Sequence, residues 1–276
     1  MKQFTARHPW AILAAGAAIQ ILTGLPAAWG VFQQPVMDEF SLTEDGAGYA
    51  FGILIAAFGV GCVIGGFLQD KKGPRCAALW GTGLLCGGFF AAALLPGEKG
   101  AWFWAVFSIP AGLGTAFLYP SIQSCAQKWY AGRKGLATGV IGGAVGLSGA
   151  FLTGFVRTAL KGFGPVQGIR GAFWALGELT LPVCLVGSAL LTDPPPAKQK
   201  PEEQGRGKGT PALDLAPLQM LRTKQYWLCA GAVCCSTPAV LLFSPIILKL
   251  GMERGLDEGA ALWSVVLGSV GSAAGR

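Results

Sequence analysis

Two ionisable side chains, Glu178 and Arg276, fall well inside long apolar runs of this chain. A charge in such surroundings is costly and by default marks a functional position. An arginine supplies a planar fork that donates two parallel hydrogen bonds to a carboxylate; a glutamate supplies a group able to carry a proton and so a candidate for coupling. The same runs hold the amides and rings Gln20, Trp29, Gln33, Tyr119 and Gln123. Trp29 and Gln33 are four residues apart, as are Tyr119 and Gln123, so each pair shares one helical face. Together with Arg276 these four are the candidate binding residues, a set suited to enclosing a small organic anion and releasing it again.

Other chemistry has no visible apparatus. No Ser, His and Asp arrangement, proton-sharing carboxylate pair or metal cluster stands out, so neither an enzyme nor a cofactor or metal is expected. The chain has one histidine, His8, and its 8 cysteines include no CxxC pair. Most of those cysteines sit within apolar stretches, where they pack as small apolar residues. The glycines form no GxGxxG or GxxxxGK[ST] motif and follow no strand, which argues against a nucleotide loop.

The elements that must position these residues follow from composition. Of 276 residues, 52% are hydrophobic and 13% charged, with a mean hydropathy of +0.51, against about 25% charged in an ordinary soluble domain. Apolar runs extend from Pro9 to Val36, Gly46 to Leu68, Cys76 to Leu95, Ala101 to Ser124, Gly135 to Leu160, Gly171 to Leu191 and Tyr226 to Leu248, and from Ala260 onward. Each is long enough to cross about 30 Å of hydrocarbon at 1.5 Å per residue. Without the ten-residue alternation of a barrel, they must be helices that satisfy their own backbone. The first run is about twice a signal-peptide core, so it reads as an uncleaved span.

The net charge of +7 raises nucleic-acid binding, but the Lys and Arg lie between the apolar runs, not in a patch interleaved with aromatics, which excludes it. Lys2, Arg7, Lys71, Lys72, Arg75, Lys128, Arg133, Lys134 and the cations from Lys198 to Lys224 fall in alternate loops. This asymmetry places the N-terminus in the cytoplasm, with the chain in the plasma (inner) membrane. Arg157, Lys161 and Arg170 go against the trend. Residues 192–224 turn to Pro, Lys, Glu, Gly and Gln and cannot bury a core, so they read as a disordered cytoplasmic linker. The organisation expected is a six-helix bundle over 1–191, this linker, and the start of a second bundle over 225–276.

Sliding the chain on itself pairs Leu42 with Leu256, Glu44 with Glu258, Ala47 with Ala261, Tyr49 with Trp263 and Gly61 with Gly275. This weak repeat fits two parallel halves around the linker. A second copy of Asp70 would fall just beyond Arg276, from which the expectation is a protein continuing through about four more helices. Glycines cluster at Gly59, Gly61, Gly65 and Gly66, and again at Gly139, Gly142, Gly143, Gly146, Gly149 and Gly154. Their spacing lets helices approach closely and slide.

The stretch Gly66-Phe67-Leu68-Gln69-Asp70-Lys71-Lys72-Gly73-Pro74-Arg75 is a short basic turn in which Gly73 permits a tight reversal. It resembles the signature between the second and third helices of the major facilitator superfamily, with Pro74 in place of one basic residue. Within that superfamily the chain is similar to the oxalate/formate antiporters and their monocarboxylate-transporter relatives. Three stretches carry the similarity: Ala28-Trp29-Gly30-Val31-Phe32 with Pro35; Tyr119 through Lys128-Trp129-Tyr130 to Arg133-Lys134-Gly135-Leu136-Ala137-Thr138-Gly139; and Gly168-Ile169-Arg170-Gly171-Ala172-Phe173.

The resemblance implies an all-α membrane protein of major facilitator fold, comprising the first six-helix bundle and the first two helices of the second. It implies a cytoplasmic gate loop of Gly66, Asp70, Lys71, Gly73 and Arg75, and a substrate-pairing role for Arg276 after Gly275. The expected activity is alternating-access transport of small carboxylates, by antiport or with protons through Glu178. A drug or sugar carrier on the same scaffold, or a fragment without activity, is the alternative.

Overall fold

The computed structural model describes residues 8–194 and 217–275, and every regular element within them is helical. Six helical segments among these residues are long and apolar enough to cross a membrane. They are α1 (Pro9–Phe40), α2 (Glu44–Lys72), α3 (Pro74–Leu94), α4 (Trp104–Trp129), α5 (Ala131–Phe163) and α6 (Gly168–Leu190). Beyond residues 195–216, which lie outside the described set and hold most of the expected linker, a turn of helix at Pro217–Met220 leads into α7 (Lys224–Glu253) and α8 (Glu258–Gly275). All eight apolar runs emerge as helices, to within a few residues at their ends.

The first span is present as expected and carries a break within it. It consists of Pro9–Thr23 and Leu25–Phe40, with Gly24 between them at φ −80°, ψ 41°. Pro26 opens the second half in the first-turn position that tolerates a missing N–H. A side chain at residue 24 is barred by α5, because a Cβ there would sit 1.6 Å from Ser148 Oγ. Breaks of this kind survive in a membrane only where neighbouring protein covers the freed backbone.

Chain reversals have local causes. Thr43 caps α2 by accepting from the Gly46 N–H at 3.1 Å, with Glu44 and Asp45 in the first turn favouring its positive end. At the other end, Lys71 and Lys72 complete the last turn, Gly73 adopts φ 85°, and Pro74 starts α3. Helical hydrogen bonding continues from Lys134 to Leu190, yet the chain folds back near Gly168, at φ 37°. Gly171 lies against the Phe163 ring, and both α5, through Ile141, and α6, through Gly187, reach α1.

Rings fill the interior toward the Glu44 side. Phe107 packs on Phe173 at 4.9 Å and on Phe103 at 5.1 Å, while Phe32 stacks on Phe173 at 5.7 Å. Such offset contacts add to the burial of large apolar area. On that side Arg170 donates to the Ala93 carbonyl (Nε, 3.0 Å) and lies 3.8 Å from Glu39. It ties α1, α3 and α6 together, which explains a cation that goes against the charge trend. On the Asp70 side Lys128 pairs with Asp193 at 2.8 Å, and Trp129 donates to the Thr192 carbonyl at 2.6 Å.

Candidate functional site

The break in α1 creates the site. Gly16, Gln20 and Gly24 fall on one face of this span. Gly16 meets Ile122 of α4 and Ile141 of α5, and Gly24 meets Ser148 of α5. Gln20 therefore stands at the seam of α1, α4 and α5, between two levels of close contact. It is 1% exposed. Its Oε1 accepts from Thr23 Oγ1 at 2.8 Å, while its Nε2 has no partner. A buried donor without an acceptor costs about 1–3 kcal/mol, so this amide is poised for something that brings an acceptor. Just past it, at Gly24, the negative end of the half-helix Pro9–Thr23 meets the positive end of the half-helix that begins at Leu25.

The segment that follows residue 216 reaches this seam through α8. Gly149 of α5 is flanked by Ala27 of α1 and by Ser269 of α8, whose Oγ would lie 2.5 Å from a Cβ at residue 149. One turn away, Gly146 presses on the backbone of Ala273, with a Cβ there only 2.6 Å from the Ala273 nitrogen. Gly154 and Gly66 have open space instead. Sequence reasoning found the glycine cluster but missed Thr23, Ser148 and Ser269. A small hydroxyl residue in an apolar helix carries no pattern that marks it.

The candidates from sequence are placed as follows. Gln123 and Tyr119 are half-buried on α4, flanking the level of Ile122. The Gln123 Oε1 is buried and has no partner, and Tyr119 tilts against Phe58 at 6.2 Å. Gln33 is half-buried. Trp29 is 1% exposed and packed among Phe32, Phe51 and Phe107 at 5.9 to 6.5 Å. It is part of the aromatic core in this conformation and lines no open surface, because α1 turns it toward the bundle interior. Glu178 is exposed and accepts from Trp174 Nε1 at 2.8 Å. Its neighbours Leu176 and Thr180 face inward. Arg276 lies outside the described residues.

Within the turn between α2 and α3, Asp70, Lys71 and Arg75 are exposed and make no ion pair among the described residues. Gly65 and Gly61, by contrast, lie against Phe117 and Ala116 of α4, so the small residues of α2 serve close packing.

A model of the Major Facilitator Superfamily matches residues 11–276. The chain belongs to that superfamily. It is accordingly a multi-pass membrane protein, in keeping with its six candidate spans. Among its relatives is the oxalate:formate antiporter of Oxalobacter formigenes, 24% identical over 87% of this chain and 54% of the relative. Another is monocarboxylate transporter 1 of Homo sapiens, 26% identical over 75% of this chain and 40% of the relative. A Thermoproteus tenax protein described as an uncharacterized 38 kDa protein in a 23S RNA operon is 31% identical over 66% of this chain. The chain spans about half the length, or less, of these relatives.

Proposed function

We propose that the protein is a secondary transporter of small organic carboxylates, working by alternating access between its two halves. The observation that carries this reading is Gln20, a fully buried amide whose Nε2 lacks an acceptor at the seam of α1, α4 and α5. A carboxylate oxygen would satisfy that donor. Names of the relatives, an oxalate:formate antiporter and a monocarboxylate transporter, agree with this ligand chemistry.

Binding at this level also accounts for movement. Where Gly146 and Gly149 let α8 touch α5, only the small side chains of Ser269 and Ala273 stand between the two helices, so one half can rock on the other. A carboxylate that binds one arrangement better shifts the balance between them. Arg276, next in the chain after Gly275, is the cation proposed to pair with it. With Glu178 turned outward onto Trp174, exchange of one carboxylate for another is the favoured form of coupling, and the turn from Gly66 to Arg75 is the proposed cytoplasmic gate.

The test is uptake of labelled oxalate, formate or lactate into proteoliposomes preloaded with unlabelled carboxylate at clamped pH. Uptake that requires internal carboxylate supports the reading. Uptake of a sugar or a cationic drug, with none of any carboxylate, overturns it.

A further inference from the structure

On the Asp70 side, the exposed face of α3 carries an open trough of about 650 Å³ that begins at the proposed gate turn and runs beyond it. Lys72 and Arg75 stand at its head, and Leu79, Trp80, Gly83 and Leu84 line its length. Arg75, Leu79 and Gly83 recur at helical spacing, so the trough runs from the turn along α3 for about 12 Å at 1.5 Å per residue. Trp80 is 59% exposed, Leu79 37%, and nothing lies within 4 Å of a Cβ at Gly83. Neither Lys72 nor Arg75 has an anionic partner among the described residues.

In a membrane-spanning helix this arrangement has a definite polarity. The apolar walls extend into the hydrocarbon, and two uncompensated cations lie where headgroups begin, at the end of an apolar run. We propose that the trough is a binding site for one anionic phospholipid, its phosphate on Arg75 and Lys72 and an acyl chain along Leu79, Trp80 and Gly83. Arginine suits the phosphate because its fork donates two parallel hydrogen bonds. The second cation favours a lipid with net negative charge over a zwitterionic one, whose own ammonium would compete for the phosphate. Gly83 adds no side chain to the trough, whose space there is open. The inference depends on the membrane setting of α3 and not on what is transported.

Trp80 reports occupancy directly. The full chain is placed in phosphatidylcholine vesicles containing the same mole fraction of either dibrominated phosphatidylglycerol or dibrominated phosphatidylcholine. The Trp80 share of quenching is the difference between the wild-type chain and Trp80→Phe. Expected is at least twofold more quenching of that share by the brominated phosphatidylglycerol. The preference should vanish in K72Q/R75Q and persist in K72R/R75K, with helical circular dichroism unchanged in both. Equal quenching by the two lipids would overturn the proposal in favour of ordinary annular contact. Absence of quenching by either would overturn it in favour of protein covering the trough. Should K72Q/R75Q fail to fold, the wild-type comparison alone decides.

Discussion

Lys249, in the last turns of α7, reaches the carboxylate of Glu44 at the start of α2 and also lies 3.9 Å from Glu253. The two residues are 205 apart in sequence, and their contact joins α7 to α2 on the side away from Asp70. The hydrogen bond that Lys249 donates to Glu44 raises the Lys249 pKa above the ordinary lysine value, against a smaller desolvation effect, with the Glu44 and Glu253 charges adding to the rise. A raised lysine pKa means the contact is fully present at neutral pH and lost only as pH climbs through that raised value.

The first prediction is that this contact closes one end of the pathway. In a background without native cysteines, joining E44C to K249C with a short, disulfide-containing bifunctional thiol reagent should lock α7 to α2 and abolish exchange. Reduction should restore it. Exchange that continues under full cross-linking would show that these ends never separate.

A second prediction concerns the crossing of α5 and α8. G146V places side-chain carbon against the Ala273 backbone, which cannot yield as a flexible side chain would. Overpacking of this kind costs about 1–3 kcal/mol. Exchange should fall by about tenfold, the effect of a 1.4 kcal/mol bias, while the six spans stay helical. G154A, in open space, is the control and should leave exchange unchanged.

Third, G24A forces a Cβ onto Ser148 Oγ. It should lower thermal stability in detergent by about 1–3 kcal/mol. S148G should recover most of that loss when combined with it. Additive losses would mean that the two residues do not meet.

Fourth, R170Q removes the bond to the Ala93 carbonyl and the charge beside Glu39. A loss of about 1–2 kcal/mol in stability is expected, because an acceptor at the end of α3 is abandoned. The KM for exchange should not change. A raised KM at unchanged stability would move Arg170 from a clamp to a substrate contact.

Much of this architecture is legible in the residues themselves. Apolar runs bounded by Lys, Arg, Gly and Pro give the spans, because in hydrocarbon a backbone without the alternation of a barrel must satisfy itself as a helix. The break at Gly24 is hidden, since the run stays apolar through Pro26 and only the approach of Ser148 reveals why a glycine is needed. Glu178 reads as functional from its setting in an apolar run, yet helical rotation turns it outward to Trp174. Trp29 illustrates the reverse: its spacing with Gln33 suggests a shared lining face, but long-range packing on Phe51 and Phe107 draws its ring into the core. Gln20 is visible as a polar residue in an apolar helix. That one end of its amide is left unpartnered is a property of three helices together.

The central claim is that Gln20 binds the transported carboxylate, and Q20L tests it by two readouts, stability and exchange. The change removes a buried donor without a partner and also the Oε1 that accepts from Thr23, whose hydroxyl can turn to the Gln20 carbonyl at 3.3 Å, so stability should change by no more than about 1 kcal/mol, while carboxylate exchange in proteoliposomes falls by about tenfold or more. Exchange at the wild-type rate with the same KM, in a Q20L protein of undiminished stability, would contradict it.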